Sequence, residues 1–121
     1  MNSSLRLIEI RTYRLKPHSL QLFHSVMHTK AVVMLRAKGM DVVSYGASDH
    51  EHESYFMIRA YADRKALEDE QNAFYNSNEW RQGPRPELIE HIDTYMNTLI
   101  WLDIDAIDSI RLSNPHQANL G

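Results

Sequence analysis

Two stretches of strict alternation constrain this chain more than anything else in it. From Leu5 to Leu15, Leu7, Glu9, Arg11 and Tyr13 fall on one side while Ile8, Ile10 and Thr12 fall on the other. From Ser54 to Tyr61, Tyr55, Met57, Arg59 and Tyr61 oppose Phe56, Ile58 and Ala60. A period of two is that of a β-strand whose two faces meet different surroundings. Only the Phe56, Ile58, Ala60 set reads as ordinary core. The set carrying Glu, Arg and Tyr is too aromatic for bare solvent and too charged for a dry interior.

The residues between these strands fix what joins them. Lys16-Pro17 opens a helix with Ser19 as the candidate cap, because proline's fixed φ suits a first helical turn. Leu20, Phe23, Met27, Ala31, Met34 and Leu35 make one apolar helical stripe, which Gly39 ends. Met40 to Ala47 reads as a second strand, followed by the polar turn Ser48-Asp49-His50-Glu51-His52-Glu53. After the Ser54–Tyr61 strand, Asp63 is placed to cap a helix through Ala66, Leu67, Ala73 and Phe74. Asn76-Ser77-Asn78 breaks that helix, and Gly83-Pro84-Arg85-Pro86 punctuates again before a short helical turn with Leu88, Ile89 and Ile92. Thr94 to Leu102 has the β-branched and aromatic usage of a last strand. Residues 1–102 then form one domain, and 103–121 a C-terminal tail with a short helix through Ile104, Ile107 and Ile110.

The order strand, helix, strand, strand, helix, strand predicts an α+β, ferredoxin-like βαββαβ domain with a four-stranded antiparallel sheet. The first strand lies beside the third, so side chains of like parity meet across the pair. Helices are expected over one face. The other face, with Glu9, Arg11, Tyr13, Tyr55, Arg59 and Tyr61, is expected to close against a second subunit around a partly polar cavity.

Composition narrows the functions open to such a domain. The 121 residues contain no cysteine, which removes disulfides, thiolate nucleophiles and cysteine-ligated metal centres and suits a cytoplasmic location. A net charge of −3 argues against a general nucleic-acid partner. Neither a signal peptide nor a membrane span is expected, and four scattered glycines make no phosphate-cradling loop. No cofactor is therefore called for.

Leu7-Ile8-Glu9-Ile10-Arg11-Thr12-Tyr13-Arg14-Leu15-Lys16-Pro17 resembles the opening I-E-x-R-x-Y-x-L-K-P-G of the NIPSNAP family, a branch of the dimeric α+β barrel proteins. Lys38-Gly39, Arg59-Ala60-Tyr61-Ala62-Asp63 and Asn78-Glu79-Trp80 agree in order and spacing, so the match spans residues 7 to 102. His18 stands where the motif has glycine, and the family's proline before Glu79 is absent. The resemblance implies a homodimer with facing sheets. It brings no agreed catalytic residues.

Glu9, Arg11, Tyr13 and Arg59 form the strongest chemical constellation. Facing one cavity, arginine fixes a ligand carboxylate or carbonyl, tyrosine donates a hydrogen bond and a desolvated Glu9 acts as general base, which makes Glu9, Arg11 and Tyr13 the catalytic candidates. Ligand-binding candidates are Glu9, Arg11, Tyr13, Tyr55, Arg59 and Tyr61. The plainer reading is that Glu9 and an arginine neutralise each other across adjacent strands. Tyr55, Tyr61, Trp80, Tyr95 and Trp101 either wall a pocket for a flat apolar molecule or pack an interface. His24 and His28 share one side of a helix, yet no third ligand accompanies them, so no metal site is assigned.

Two function classes remain. One is a protein that binds a small apolar or aromatic molecule, possessing at most the cofactor-independent oxygenase, isomerase or cyclase chemistry found on other dimeric α+β barrels. The other is a non-catalytic homodimeric interaction module.

Overall fold

The computed structural model describes residues 4–113. Strands β1 (Leu5–Leu15), β2 (Asp41–Ser48), β3 (Ser54–Tyr61) and β4 (Ile92–Asp103) form one antiparallel sheet in the order β2-β3-β1-β4. This is the expected ferredoxin-like arrangement, with β1 central. Among the described residues the helices are α1 (Leu20–Val26), α2 (Val32–Ala37), α3 (Arg64–Tyr75), α4 (Asn78–Gln82), α5 (Arg85–Glu90) and α6 (Ile104–Ser113). None is long and apolar enough to cross a membrane.

The expected assignment of sheet faces is inverted. The side chains of Tyr13, Tyr55, Met57 and Tyr61 pack with Phe23, Val26, Met27, Leu35, Phe74 and Leu88 from the helices. Glu9 and Arg59, on the same face, are 1% and 0% exposed. Helices therefore cover the charged and aromatic face. On the Ile10, Thr12, Phe56, Ile58 face, among the described residues, α6 packs Ile107 and Ile110 against Ile8, Val43, Ala60 and Leu102, with Ile10 and Ile58 at the edge of the same cluster. An alternating strand reports that its two faces differ, but apolarity alone does not say which face the helices take.

α1 continues through a π turn, Met27–Ala31, into α2, where the Val32 N–H reaches the carbonyl of Met27 five residues back. Ser19 sits at the N-cap of α1 without a side-chain bond to the helix. The helix is capped instead by Glu53, whose carboxylate accepts from the backbone N–H groups of His18, Ser19 (3.1 Å) and Leu20 (2.7 Å). The polar turn before β3 thus fastens the start of the first helix through Glu53. Its grip also holds His18 at φ 65°, in the left-handed region, which explains the glycine found there in the motif this segment resembles.

Asp63 caps α3 as expected, accepting from Ala66 N at 2.8 Å. Asn76 ends that helix, and Ser77 caps α4. Gly83 then turns the chain into α5 in a space only glycine fits, since a Cβ there would lie 2.4 Å from the Glu79 carbonyl oxygen. Residues 104–113 of the expected tail form α6, anchored by the paired hydrogen bonds of Arg111 to Asp41 (2.7 and 3.1 Å). The rest of that segment lies outside the described residues.

Candidate functional site

A cavity of about 690 Å³ separates the sheet from the helices within one chain. The sheet supplies Arg11, Tyr13, Met57 and Tyr95 to its wall, α1 and α2 supply Phe23 and Leu35, and the π turn supplies Met27 and Ala31. α3, α4 and α5 close the far side with Gln71, Phe74, Tyr75, Trp80, Arg81, Arg85 and Leu88. The expected cavity between two sheets is thus replaced by one between sheet and helices.

Of the six expected ligand-binding residues, Arg11 and Tyr13 line this space. Glu9, Tyr55, Arg59 and Tyr61 lie behind its wall. Antiparallel pairing sets Glu9 directly across from Arg59, so their side chains project side by side from β1 and β3. Arg59 Nε donates to Glu9 Oε1 at 2.8 Å, and its Nη2 is 2.6 Å from the same oxygen in an ion pair that lacks hydrogen-bond alignment. Arg11 Nη2 donates to Glu9 Oε2 at 3.2 Å, and Gln71 Nε2 lies 3.1 Å from both oxygens. A carboxylate with this many donors satisfies the cost of burying its charge. Glu9 is 1% exposed and does not line the cavity, so the expected role of Glu9 as a proton acceptor gives way to one as an anchor.

The anchor extends to the cavity surface. Arg59 Nη1 donates to the Tyr75 hydroxyl at 2.6 Å, and Gln71 Nε2 donates to that of Tyr61 at 3.0 Å. Arg11 is steered by its Nε bond to Asn97 Oδ1 (2.8 Å) and by the ring of Tyr95, whose centroid lies 4.8 Å from the guanidinium carbon. Two wall residues, Arg11 and Tyr75, are therefore held from behind by one buried network. Burial pushes the phenol of Tyr61 up to about 12 and raises those of Tyr13 and Tyr55 as well. Each remains protonated at neutral pH. Tyr13 consequently presents a hydroxyl donor to the cavity and not a base.

The histidines have found partners elsewhere. His24 and His28 stack with centroids 5.5 Å apart, and their Nδ1 atoms lie 2.6 Å from the hydroxyls of Tyr55 and Tyr45 respectively. Burial and the neighbouring His28 lower the pKa of His24.

A model of the NIPSNAP family matches residues 8–100. The chain belongs to the NIPSNAP family. Solved NIPSNAP structures share its fold: an uncharacterised NIPSNAP-like domain protein from Burkholderia xenovorans is 15% identical, with a TM-score of 0.74 over 82% of this chain and 85% of its own. A NIPSNAP family protein of unknown function from Agrobacterium tumefaciens is 17% identical, with a TM-score of 0.76 over 84% and 92%. The fold reaches further, to a candidate antibiotic biosynthesis monooxygenase from Nitrosomonas europaea at 11% identity and a TM-score of 0.61, covering 83% and 91%. No curated protein matches the sequence. At these identities the likeness concerns fold, and what this NIPSNAP chain does must be argued from its own cavity.

Trp80 and Tyr95 are the aromatic wall residues that the sequence singled out. Gln71, Tyr75, Arg81 and Arg85 were not. All four belong to the α3–α5 segment, where short helices and two breaks hide any period, and only the family-like Asn78-Glu79-Trp80 marks the place. Trp101 points from the sheet edge into an exposed position.

Proposed function

We propose that this NIPSNAP protein binds a small, largely apolar or aromatic molecule in the cavity between its sheet and its helices. The observation that carries this reading is the cavity itself. It is the size of ordinary small-molecule sites, and its lining divides about evenly between apolar surface and polar groups, Arg11 and Tyr13 foremost. If the bound molecule is also transformed, Tyr13 donates a hydrogen bond to an oxygen of the ligand and Arg11 stabilises negative charge developing there.

The second part of the reading is a homodimer closed through the open sheet face. Ile10, Phe56 and Ile58 are half-covered there, Ile100 is exposed, and Met96 is 72% exposed. A second copy covering this face would bury it around a two-fold axis. This surface alone would also serve the rival reading, an interaction module without a ligand.

Fluorescence separates the two readings. In a Trp101→Phe variant, Trp80 is the sole tryptophan and lines the cavity. Saturable quenching by 2-naphthalenemethanol is expected, and Ala31→Phe, which fills the space at the π turn, should abolish it with the circular dichroism unchanged. Quenching that survives Ala31→Phe places the probe elsewhere and removes the proposal. The same variant without any quenching in its parent leaves the interaction module as the better account.

A further inference from the structure

Resting on the cavity-binding reading, we infer that the ligand is an amphipathic anion: an aromatic or branched apolar body carrying one carboxylate, with the carboxylate held at the rim by Arg81 and Arg85. The lining contains three arginines, Arg11, Arg81 and Arg85, and no aspartate or glutamate. That is a sharp departure from a chain whose net charge is −3. Behind the wall, Glu9 and Arg59 cancel, so they leave the positive charge of the lining intact.

The three guanidiniums are not equivalent. Arg11 is mostly enclosed and already divided among Glu9, Asn97 and the Tyr95 ring. Arg81 and Arg85 are exposed, and both flank the Gly83 turn between α4 and α5. Arg81 gives Nη2 to Asn76 Oδ1 at 3.2 Å, a neutral acceptor that leaves its charge uncompensated. The Arg85 side chain makes no hydrogen bond or ion pair among the described residues. By contrast, the nearby cations Lys30 and Lys38 are paired, with Glu87 and Glu79. Two unneutralised guanidiniums over an aromatic interior complement a planar carboxylate attached to an apolar group, because a forked donor suits that anion and the low-dielectric wall strengthens the attraction. A neutral ligand would leave both charges without a counter-charge.

The test compares 2-naphthoate with 2-naphthalenemethanol, which share a ring system and differ in charge, by Trp80 quenching in the Trp101→Phe background. Naphthoate is expected to bind at least about tenfold more tightly, with its affinity falling in 0.5 M salt while that of the alcohol does not. Arg81→Gln and Arg85→Gln together should erase the difference. These side chains are exposed, and circular dichroism would confirm an intact fold. Equal binding of the two probes by the unmodified rim overturns the inference and leaves the cavity reading standing. A naphthoate preference that persists in the double variant overturns the assignment to Arg81 and Arg85. Absence of binding by either probe removes the cavity reading, and the inference falls with it.

Discussion

The two faces of the central sheet are built on opposite principles. The face under the helices holds Glu9, Arg59, Tyr55 and Tyr61 in near-complete burial, while the face left open is lined with Ile10, Phe56, Ile58, Met96 and Ile100. A hydrophobic ranking would assign them the other way round. The contrast shows that charge is excluded from an interior only when it is unpaired. Once β1 and β3 set a carboxylate across from a guanidinium and α3 adds an amide, the charged face becomes the one that can be sealed for good. The apolar face, which needs no specific partner geometry, is the one left for a separate packing event.

The sharpest way to break this comparison is to unpair the sealed face. Glu9→Ala leaves the Arg59 guanidinium buried without a counter-ion and is expected to cost about 3–5 kcal/mol, read as a lower urea midpoint. Replacing both partners, Glu9→Leu with Arg59→Met, should recover most of the loss. If the single change costs under about 1 kcal/mol, the pair does not hold this face together and the contrast fails.

The open face is probed by Met96→Asp, a change at an exposed side chain that should leave the unfolding of the dilute chain unaltered. Each copy would bring a charge to the dimer seam. A tenfold loss per copy, doubled in free energy by the two-fold axis, amounts to a dimer dissociation constant raised about a hundredfold. Sedimentation equilibrium measures it, and a parent protein that is monomeric at every concentration rules out the dimer.

A smaller effect is expected where the helix layer is fastened to the sheet. Glu53→Ala releases the backbone N–H groups of His18, Ser19 and Leu20 and should cost about 1–2 kcal/mol. A loss no larger than that of Glu51→Ala, at an exposed neighbour in the same turn, would mean that the cap is idle.

The smallest effects are those of pH, and both come from the covered side. His24 has a folded pKa below its ordinary 6.5, so the unfolded chain binds more protons there; stability is full above pH 6.5 and declines as pH falls through the folded value. Glu53 is held below its ordinary 4.5, chiefly by the backbone N–H groups of Leu20 and His18, so a second decline begins below pH 4.5. His24→Asn should erase the first decline and Glu53→Ala the second. A profile flat from pH 7 to 5 in the parent contradicts the burial of a neutral His24.

The strands were legible because period two is a local property. β3 runs from Ser54 to Tyr61 and β1 from Leu5 to Leu15, as the alternation required, and Asp63 caps α3 because its partner is three residues away. What escaped depends on distance along the chain. Glu53 caps a helix that starts 33 residues earlier, a relation no window of sequence contains. The plainer reading of Glu9, neutralised by an arginine across adjacent strands, is met by Arg59, 50 residues on; what escaped was that the helices cover this pair, because apolarity alone does not say which face they take. Arg11 and Tyr13 were found by their strand parity. Arg81 and Arg85 were missed because their meaning comes from the acids that are absent around them, which only the assembled cavity reveals.

The position of β1 has a kinetic consequence. It precedes the other three strands in the chain and lies inside the sheet, so both its neighbours arrive later: Leu7 must wait for Tyr61 on one side and for Trp101 on the other. On a ribosome, β1 therefore passes most of its early life as an unpaired edge, with Glu9 and Arg11 still in water. Their charges keep that edge from pairing with strangers, as inward-pointing charges do on edge strands generally. The residues that later anchor the cavity wall thus serve first as guards of their own strand, and a nascent chain stopped short of β3 lacks the Arg59 that pairs with Glu9.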